Sequence, residues 1–166
     1  MTKLIISADS VSLTYESARD LGFTMVPCPI SFDGRVYLDS EIDLEKVYAR
    51  LETRENLPKT SSVNVEEFVK FFTHTAKKAD CIVHISMSSV FSLQYNNALQ
   101  AKTLMQKKGN TRIEVFDSSS IGIGVHLVAI MAGIWANEGS NLEEISGLLG
   151  NVIPYLFGGK GYPFLL

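Results

Sequence analysis

A group of serines in the middle of the chain has the residue types and spacing best suited to ligand chemistry. It follows the run Cys81–Ile85, which is rich in β-branched residues and too short for a helix, so the pattern predicts a buried strand. The serines are Ser86, Ser88, Ser89 and Ser92. Since a helical pattern begins at Gln94, these hydroxyl groups and the free N–H groups of a helix start could together hold an anion. The alternative is that one serine caps the helix and the others are solvated turn residues.

The same arrangement of polar residues after an apolar run occurs at two other places. Asp9–Ser10 follows the apolar run at residues 3–7, and Asp117–Ser120 follows the run at residues 112–116. Ligands of open α/β sheets usually bind at the carboxyl ends of the strands. Aspartate and serine are also preferred helix caps, and capping is the single role that we expect of Asp9 and Ser10.

Three strand–loop–helix units predict an α/β fold with an open, mainly parallel sheet and helices on both faces. Residues 23–32 are apolar but carry Pro27 and Pro29, which favours an edge strand. Asp33–Gly34 predicts a hairpin turn after it. Leu57–Ser62 is a proline-led hydroxyl turn, and the pattern from Val65 to Lys77 predicts a helix.

Length and composition are those of one globular domain. The chain has 166 residues, a hydrophobic fraction of 46% and a net charge of −3, which argues against a nucleic-acid-binding protein. The start of the chain lacks the features of a signal peptide, and the longest apolar run, residues 121–135, is shorter than the roughly 20 residues that span a bilayer. We therefore expect a cytoplasmic protein without an integral membrane segment, and a core helix at residues 121–135.

Residues typical of catalysis or metal binding are few. Cys28 and Cys81 lack zinc or redox spacing and are expected to be buried free thiols. The acids from Asp39 to Asp43 do not complete a calcium loop, so we expect solvated acids, no metal and no cofactor. The three histidines, His74, His84 and His126, fall within predicted helices or strands and are interpreted as structural. No G-x-S-x-G elbow is present and no base is placed beside a serine, so the sequence gives little support for nucleophilic hydrolysis.

The end of the chain differs in character from the rest. From Val152 to Leu166 it is aromatic and glycine-rich, and neither helical nor alternating. We therefore divide the chain into an α/β domain at 1–150 and an apolar tail at 151–166, the latter as the possible start of a second domain.

Five motifs, in this order and spacing, resemble the DegV family of fatty-acid-binding proteins over roughly residues 4–150. They are Ala8-Asp9-Ser10, Val26-Pro27 with Tyr37-Leu38-Asp39, Pro58 to Ser62, Ser88 to Tyr95, and Phe116 to Ser120. The resemblance implies that the protein binds a long-chain fatty acid and presents it to a fatty-acid kinase. It implies further that Thr60 and Ser92 hold the lipid carboxylate; Ser61, Ser89 and Asp117 are further candidates at the same edge of the sheet. Hydroxyl groups and helix-start amides can hold a carboxylate without catalysing a reaction, so the resemblance implies a binding protein and not an enzyme.

The chain departs from the family pattern in two respects. Leu93–Gln94 stands where the family usually has Gly–Thr, which we expect to place bulk close to the head-group site. Family members have a second domain that closes over the acyl chain, and we expect this chain to end before it, so that a homodimer or a second chain would have to cover the open pocket. Two other functions stay open: an interaction module without ligand, or a small-molecule hydrolase.

Overall fold

The computed structural model describes residues 3–10, 13–53, 57–107 and 111–157, which form seven strands and six helices. The strands are β1 (Leu4–Asp9), β2 (Phe23–Val26), β3 (Pro29–Phe32), β4 (Arg35–Leu38), β5 (Lys59–Thr60), β6 (Cys81–Ser86) and β7 (Arg112–Asp117). The helices are α1 (Tyr15–Asp20), α2 (Leu44–Thr53), α3 (Val65–Ala76), α4 (Gln94–Gln106), α5 (Ile123–Asn137) and α6 (Leu142–Phe157).

A four-stranded parallel sheet in the order β2-β1-β6-β7 forms the centre of the molecule. Its strands alternate with helices along the chain, so right-handed crossovers place helices on the sheet faces. The predicted α/β fold is confirmed. Because all four strands run the same way, the polar residues that follow β1, β6 and β7 meet at one edge of the sheet, as expected.

The second sheet is antiparallel, has the order β4-β3-β5, and carries the segment that includes Thr60. Its hairpin turns at Asp33 and Gly34, which have φ of 48° and 73°, as the sequence predicts. The interpretation of residues 23–32 as one edge strand was wrong. Pro27 and Cys28 separate β2 from β3, and the two strands belong to different sheets. β5 pairs with β3 so that Thr60 lies opposite Ile30.

Two apolar clusters cover the two faces of the parallel sheet. β6 contributes to both because its side chains alternate: Val83 and Ile85 face α5 and α6, whereas Ile82 faces α3 and α4. Phe68 and Phe72 of α3 are completely buried. α5 is the core helix expected from the long apolar run, and no helix in the described part of the chain is long and apolar enough to cross a bilayer.

Helix α6 continues beyond the point where the sequence predicts the helix to end. Its start is held by Asn141 and Glu144, whose side chains each accept the other's backbone N–H. The helix runs to Phe157 although Pro154 removes one N–H, since Ile153 packs into the core. The prediction of a non-helical tail was therefore wrong for residues 152–157. Residues 158–166 lie outside the described residues, and the division at residue 150 stays a prediction.

The carboxylate of Asp9, at the end of β1, joins β1 to the loop that leaves β6. Asp9 Oδ2 accepts hydrogen bonds from Ser86 Oγ at 2.7 Å and from Met87 N at 2.8 Å. Asp9 Oδ1 lies 3.2 Å from His84 Nε2, close enough for an ion pair but not aligned as a hydrogen bond. The other nitrogen of His84, Nδ1, lies 3.0 Å from Ser7 Oγ. The four side chains of this network are fully buried.

Two of the histidines that we interpret as structural, His84 and His126, are completely buried. His84 lies edge-on to Phe68 and Phe72 of α3. His126 of α5 donates from Nε2 to the backbone oxygen of Asp9 at 3.0 Å. Both interpretations are confirmed. The capping role expected of Asp9 was wrong, because Thr14 caps α1 by accepting from Ser17 N.

Replacing the Asp9 carboxylate should destabilise the fold. Asp9→Ala leaves the Ser86 hydroxyl and the Met87 N–H without an acceptor and removes the carboxylate beside His84, and we expect a loss of about 3 kcal/mol in the free energy of unfolding. Urea titration measures it. The matched control is Asp20→Ala, at an exposed aspartate of α1, which should change stability by less than about 0.5 kcal/mol. A loss below about 1 kcal/mol for Asp9→Ala would contradict this role.

His126 should make the protein less stable in mild acid. Desolvation by burial lowers the pKa of His126 below its ordinary value of 6.5, outweighing the bond to the Asp9 backbone. The unfolded chain therefore binds a proton at a pH where the native state does not, and stability falls as the pH drops below about 6.5. His126→Gln should reduce this dependence between pH 6.5 and 5 by up to about 1.4 kcal/mol per pH unit in urea titrations. Equal slopes for both proteins would show that the histidine has no such effect.

Candidate ligand-binding site

Two loops meet at the carboxyl edge of the parallel sheet, and both come from motifs singled out in the sequence. The β6–α4 loop spans residues 87–93, and the β7–α5 loop spans residues 118–122. Ser88 N donates to Ser120 O at 2.8 Å. Ser89 donates to Asp117 Oδ2 from its hydroxyl at 2.5 Å and from its backbone N–H at 3.2 Å. The structure thus brings together two of the predicted site residues, Ser89 and Asp117.

A third segment, residues 60–64, reaches the same edge from the second sheet. Ser61 N donates to Pro29 O at 3.0 Å, which continues the pairing of β5 with β3. The hydroxyl of Ser62 lies 3.0 Å from the hydroxyl of Ser92. The side chains of Thr60 and Ser61 are exposed, and within the described ranges their hydroxyl groups make no hydrogen bond. They are therefore free to donate to a ligand.

Direct contact between the two predicted binding motifs is made by Ser62 rather than by Thr60. Ser62 belongs to the Pro58–Ser62 motif, but it is not among the residues that the sequence predicts to bind a ligand. The available signal is the run of three hydroxyl residues, Thr60 to Ser62, in which only tertiary packing decides which member faces Ser92. Thr60 and Ser92 therefore lie on two adjoining segments, with Ser62 at the junction.

The loop that carries Ser92 is held by its own backbone and by Ser88. Phe91 N and Ser92 N both donate to Ser88 O, and Ser88 Oγ accepts from Val90 N at 3.3 Å. Ser92 Oγ accepts from Gln94 N at 3.3 Å at the start of α4, although Leu93 is the formal N-cap. The interpretation of the remaining serines as solvated was wrong for Ser86 and Ser88, which are buried.

The sequence predicts that the side chain at position 94 crowds the head-group site, but the structure turns this side chain away from it. The side chain of Gln94 is buried, and its Oε1 accepts from Val63 N at 3.2 Å. Asn97, one turn later, donates from Nδ2 to Val63 O at 2.8 Å. Leu93 instead points outward and is 64% exposed. The expected crowding therefore does not arise from Gln94.

Large apolar side chains are exposed on the loops that carry the hydroxyl groups. They are Val90, Phe91 and Leu93 on the β6–α4 loop, Ile121 on the β7–α5 loop and Ile123 at the start of α5. Apolar side chains exposed together on adjoining loops usually mark a binding or interaction surface. The edge of the sheet thus combines hydroxyl donors with an apolar surface, which suits a ligand with a polar head and an apolar tail.

The expectation of solvated acids after β4 holds for Glu41 and Asp43, which are exposed, but was wrong for Asp39. Asp39 accepts hydrogen bonds from Ser10 Oγ, from Tyr15 OH at 2.5 Å and from Cys28 N at 3.0 Å. Burial, with the charge of Asp39, raises the pKa of Tyr15 and raises that of the Cys28 thiol to about 11. Both groups therefore stay protonated at neutral pH. Among the described residues no group of three His, Cys, Asp or Glu is placed to hold a metal ion.

A serine, a histidine and an aspartate lie together as in a hydrolytic triad, but they are closed to substrate. Ser7, His84 and Asp9 form a chain of close contacts, which sequence reasoning did not foresee because the three residues lie on two strands. All three side chains are completely buried, so no substrate reaches Ser7. The partners of the Ser92 hydroxyl are Ser62 and the N–H of Gln94, and neither is a general base.

Comparison with known proteins identifies the same family that the motifs resemble. A family model described as "Uncharacterised protein, DegV family" matches residues 3–156. A DegV domain-containing protein of Caldanaerobacter subterraneus is 31% identical over 160 residues, and the match covers 95% of this chain and 56% of that protein. A DegV domain-containing protein of Streptococcus pyogenes is 29% identical, with 94% and 56% covered. The chain thus spans about half the length of these curated relatives.

Solved structures agree with this assignment of the fold. DegV from Bacillus subtilis, described as a fatty acid binding protein, has a TM-score of 0.79 at 23% identity, with 92% of this chain and 54% of that chain covered. A stearic acid-binding protein from Eubacterium ventriosum has a TM-score of 0.76 at 25% identity, with 90% and 52% covered. On the match of the family model over nearly all of its residues, the chain belongs to the DegV family.

Proposed function

We propose that this protein binds a long-chain fatty acid, with the carboxylate held by the hydroxyl groups of Thr60 and Ser92. The observation that carries the proposal is the junction of two hydroxyl-bearing segments at Ser62 and Ser92, beside exposed apolar loops. Hydroxyl donors to a carboxylate make charge-assisted hydrogen bonds, which are stronger than neutral ones. The same edge of the sheet offers Ser61, Ser89 and Asp117 as further polar groups.

Three features of the site favour binding over catalysis. The hydroxyl of Ser92 is not hydrogen-bonded to a base, the buried triad is closed to substrate, and Asp39 is occupied by internal hydrogen bonds. The DegV structures from Bacillus subtilis and Thermus thermophilus are described as binding fatty acids, which supports the same ligand class here. In this proposal the protein is a carrier, and a fatty-acid kinase is the partner that would act on the bound carboxylate.

The hydrocarbon tail of the fatty acid also needs an apolar surface that shelters it from water. Burying a hydrocarbon tail contributes about 0.8 kcal/mol per methylene, so affinity depends strongly on how much of the tail is sheltered. Val90, Phe91 and Leu93 offer one apolar wall, and they are largely exposed. We expect a second polypeptide surface, from a longer chain or a second copy, to supply the other wall.

Removing the two hydroxyl groups should weaken the binding of a fatty acid. Thr60→Ala/Ser92→Ala deletes two donors to a charged group, and we expect affinity for palmitate to fall at least tenfold to a hundredfold, in line with about 1.5–3 kcal/mol for one such bond. Native mass spectrometry of the purified protein, with and without added palmitate, measures occupancy.

The matched control deletes the same two hydroxyl types elsewhere. Thr103 lies exposed on α4 and Ser140 follows α5 at the other edge of the sheet, so Thr103→Ala/Ser140→Ala should bind palmitate as the parent protein does. A parent protein that takes up no fatty acid would refute the carrier function. A site variant that binds it equally well would refute the assignment of the carboxylate to Thr60 and Ser92. Turnover of p-nitrophenyl acetate that is lost in Ser92→Ala would favour a hydrolase instead.

A further inference from the structure

Two side chains of α4 hold both backbone polar groups of Val63. Val63 N donates to Gln94 Oε1 at 3.2 Å, and Asn97 Nδ2 donates to Val63 O at 2.8 Å. The orientation of each side-chain amide follows from its partner, since a backbone N–H can only donate and a carbonyl can only accept. Gln94 and Asn97 are three residues apart and so lie on one face of the helix. We call this pair the Val63 clamp.

The clamp acts in the middle of a short segment whose ends are held by other hydrogen bonds, from Ser61 N to Pro29 O and in the capping box at Asn64. Residues 61–64 belong to neither a strand nor a helix, and they connect β5 to the capping box of α3 at Asn64 and Glu67. Gln94 is 2% exposed and Val63 is 1% exposed. Water therefore cannot replace the Gln94 bond, and the Val63 N–H would be buried without a partner if the bond were lost.

The position of the clamp couples the two halves of the proposed site. Thr60, Ser61 and Ser62 directly precede Val63, and Ser92 directly precedes the first turn of α4 that carries Gln94. The 3.0 Å distance between the hydroxyl groups of Ser62 and Ser92 is therefore measured across two segments that the clamp joins. A shift of Val63 relative to α4 would move Thr60 and Ser62 away from Ser92.

We infer that Gln94 and Asn97 are positioning residues for the head-group site and that they determine its preference for a carboxylate. Neither side chain is assigned a contact with the ligand; both act through the placement of the hydroxyl donors. This inference rests on the proposed function. A carboxylate needs donors from both segments at once, whereas a fatty alcohol has a single small head group and depends mainly on the apolar surface.

The test compares a fatty acid with the alcohol of the same chain length. Gln94→Met keeps the shape of the side chain and removes the acceptor for Val63 N. We expect the affinity for dodecanoate to fall about fivefold to thirtyfold, the size expected for one buried hydrogen bond left unmade. The affinity for dodecan-1-ol should change less than about twofold. Isothermal titration at pH 8, below the micellar concentration, measures both.

Gln100→Met is the matched control, because Gln100 lies exposed on the same helix. It should change neither affinity. If Gln94→Met weakens acid and alcohol by the same factor, the residue has only a general structural role and the inference is overturned. Unchanged binding of the acid would overturn it as well.

Two further measurements keep the inference testable on its own. If Gln94→Met does not fold, Asn97→Leu removes the other arm of the clamp at a half-buried position and should show the same difference between acid and alcohol. Hydrogen exchange of the Val63 amide should be about tenfold faster in Gln94→Met than in Gln100→Met. If the parent protein binds neither ligand, the proposed function fails; unchanged exchange would separately refute the clamp.

Discussion

The arrangement of the loops at the carboxyl edge of the parallel sheet depends on one buried carboxylate. Asp9 ends β1 and accepts hydrogen bonds from the last residue of β6 and the first residue of the loop that follows it. β1 and β6 are the two central strands, and the loop carries the serines of the proposed site. Removed from water, the carboxylate is stable only with such partners, and they in turn become fixed in direction. His126 extends the same network to α5 through the Asp9 backbone.

The site itself is assembled from parts that come from two sheets. The parallel sheet supplies Ser89, Ser92 and Asp117 at its carboxyl edge, and the antiparallel sheet supplies Thr60 and Ser61 through β5. Hydrogen bonds across the junction, from Ser62 to Ser92 and from α4 to Val63, hold the two contributions together. Hydroxyl donors on the two segments can hold a carboxylate without a proton transfer, which is the physical basis of the proposed function.

Local patterns in the sequence were reliable where local chemistry decides the structure. The β-branched run Cys81–Ile85 formed a central strand, Asp33–Gly34 formed the hairpin turn, and the apolar run at residues 121–135 formed the core helix α5. Errors occurred where distant partners compete with local preference. Asp9 was expected to cap a helix, but β6 offers it buried donors; the tail after Val152 was expected to leave the helix, but Ile153 packs into the core.

The sequence by itself determined the α/β class, the hairpin turn at Asp33–Gly34 and the motifs that meet at one edge of the sheet. These follow from periodicity, turn chemistry and the topology of parallel strands, which are local or generic. Only the tertiary structure decided that Ser62 faces Ser92, that Gln94 turns inward to Val63 and that Ser7, His84 and Asp9 form a closed network. Each of these contacts joins residues about 30 or more positions apart. Packing decides which polar groups are removed from water, and those groups then need a hydrogen-bond partner within the protein.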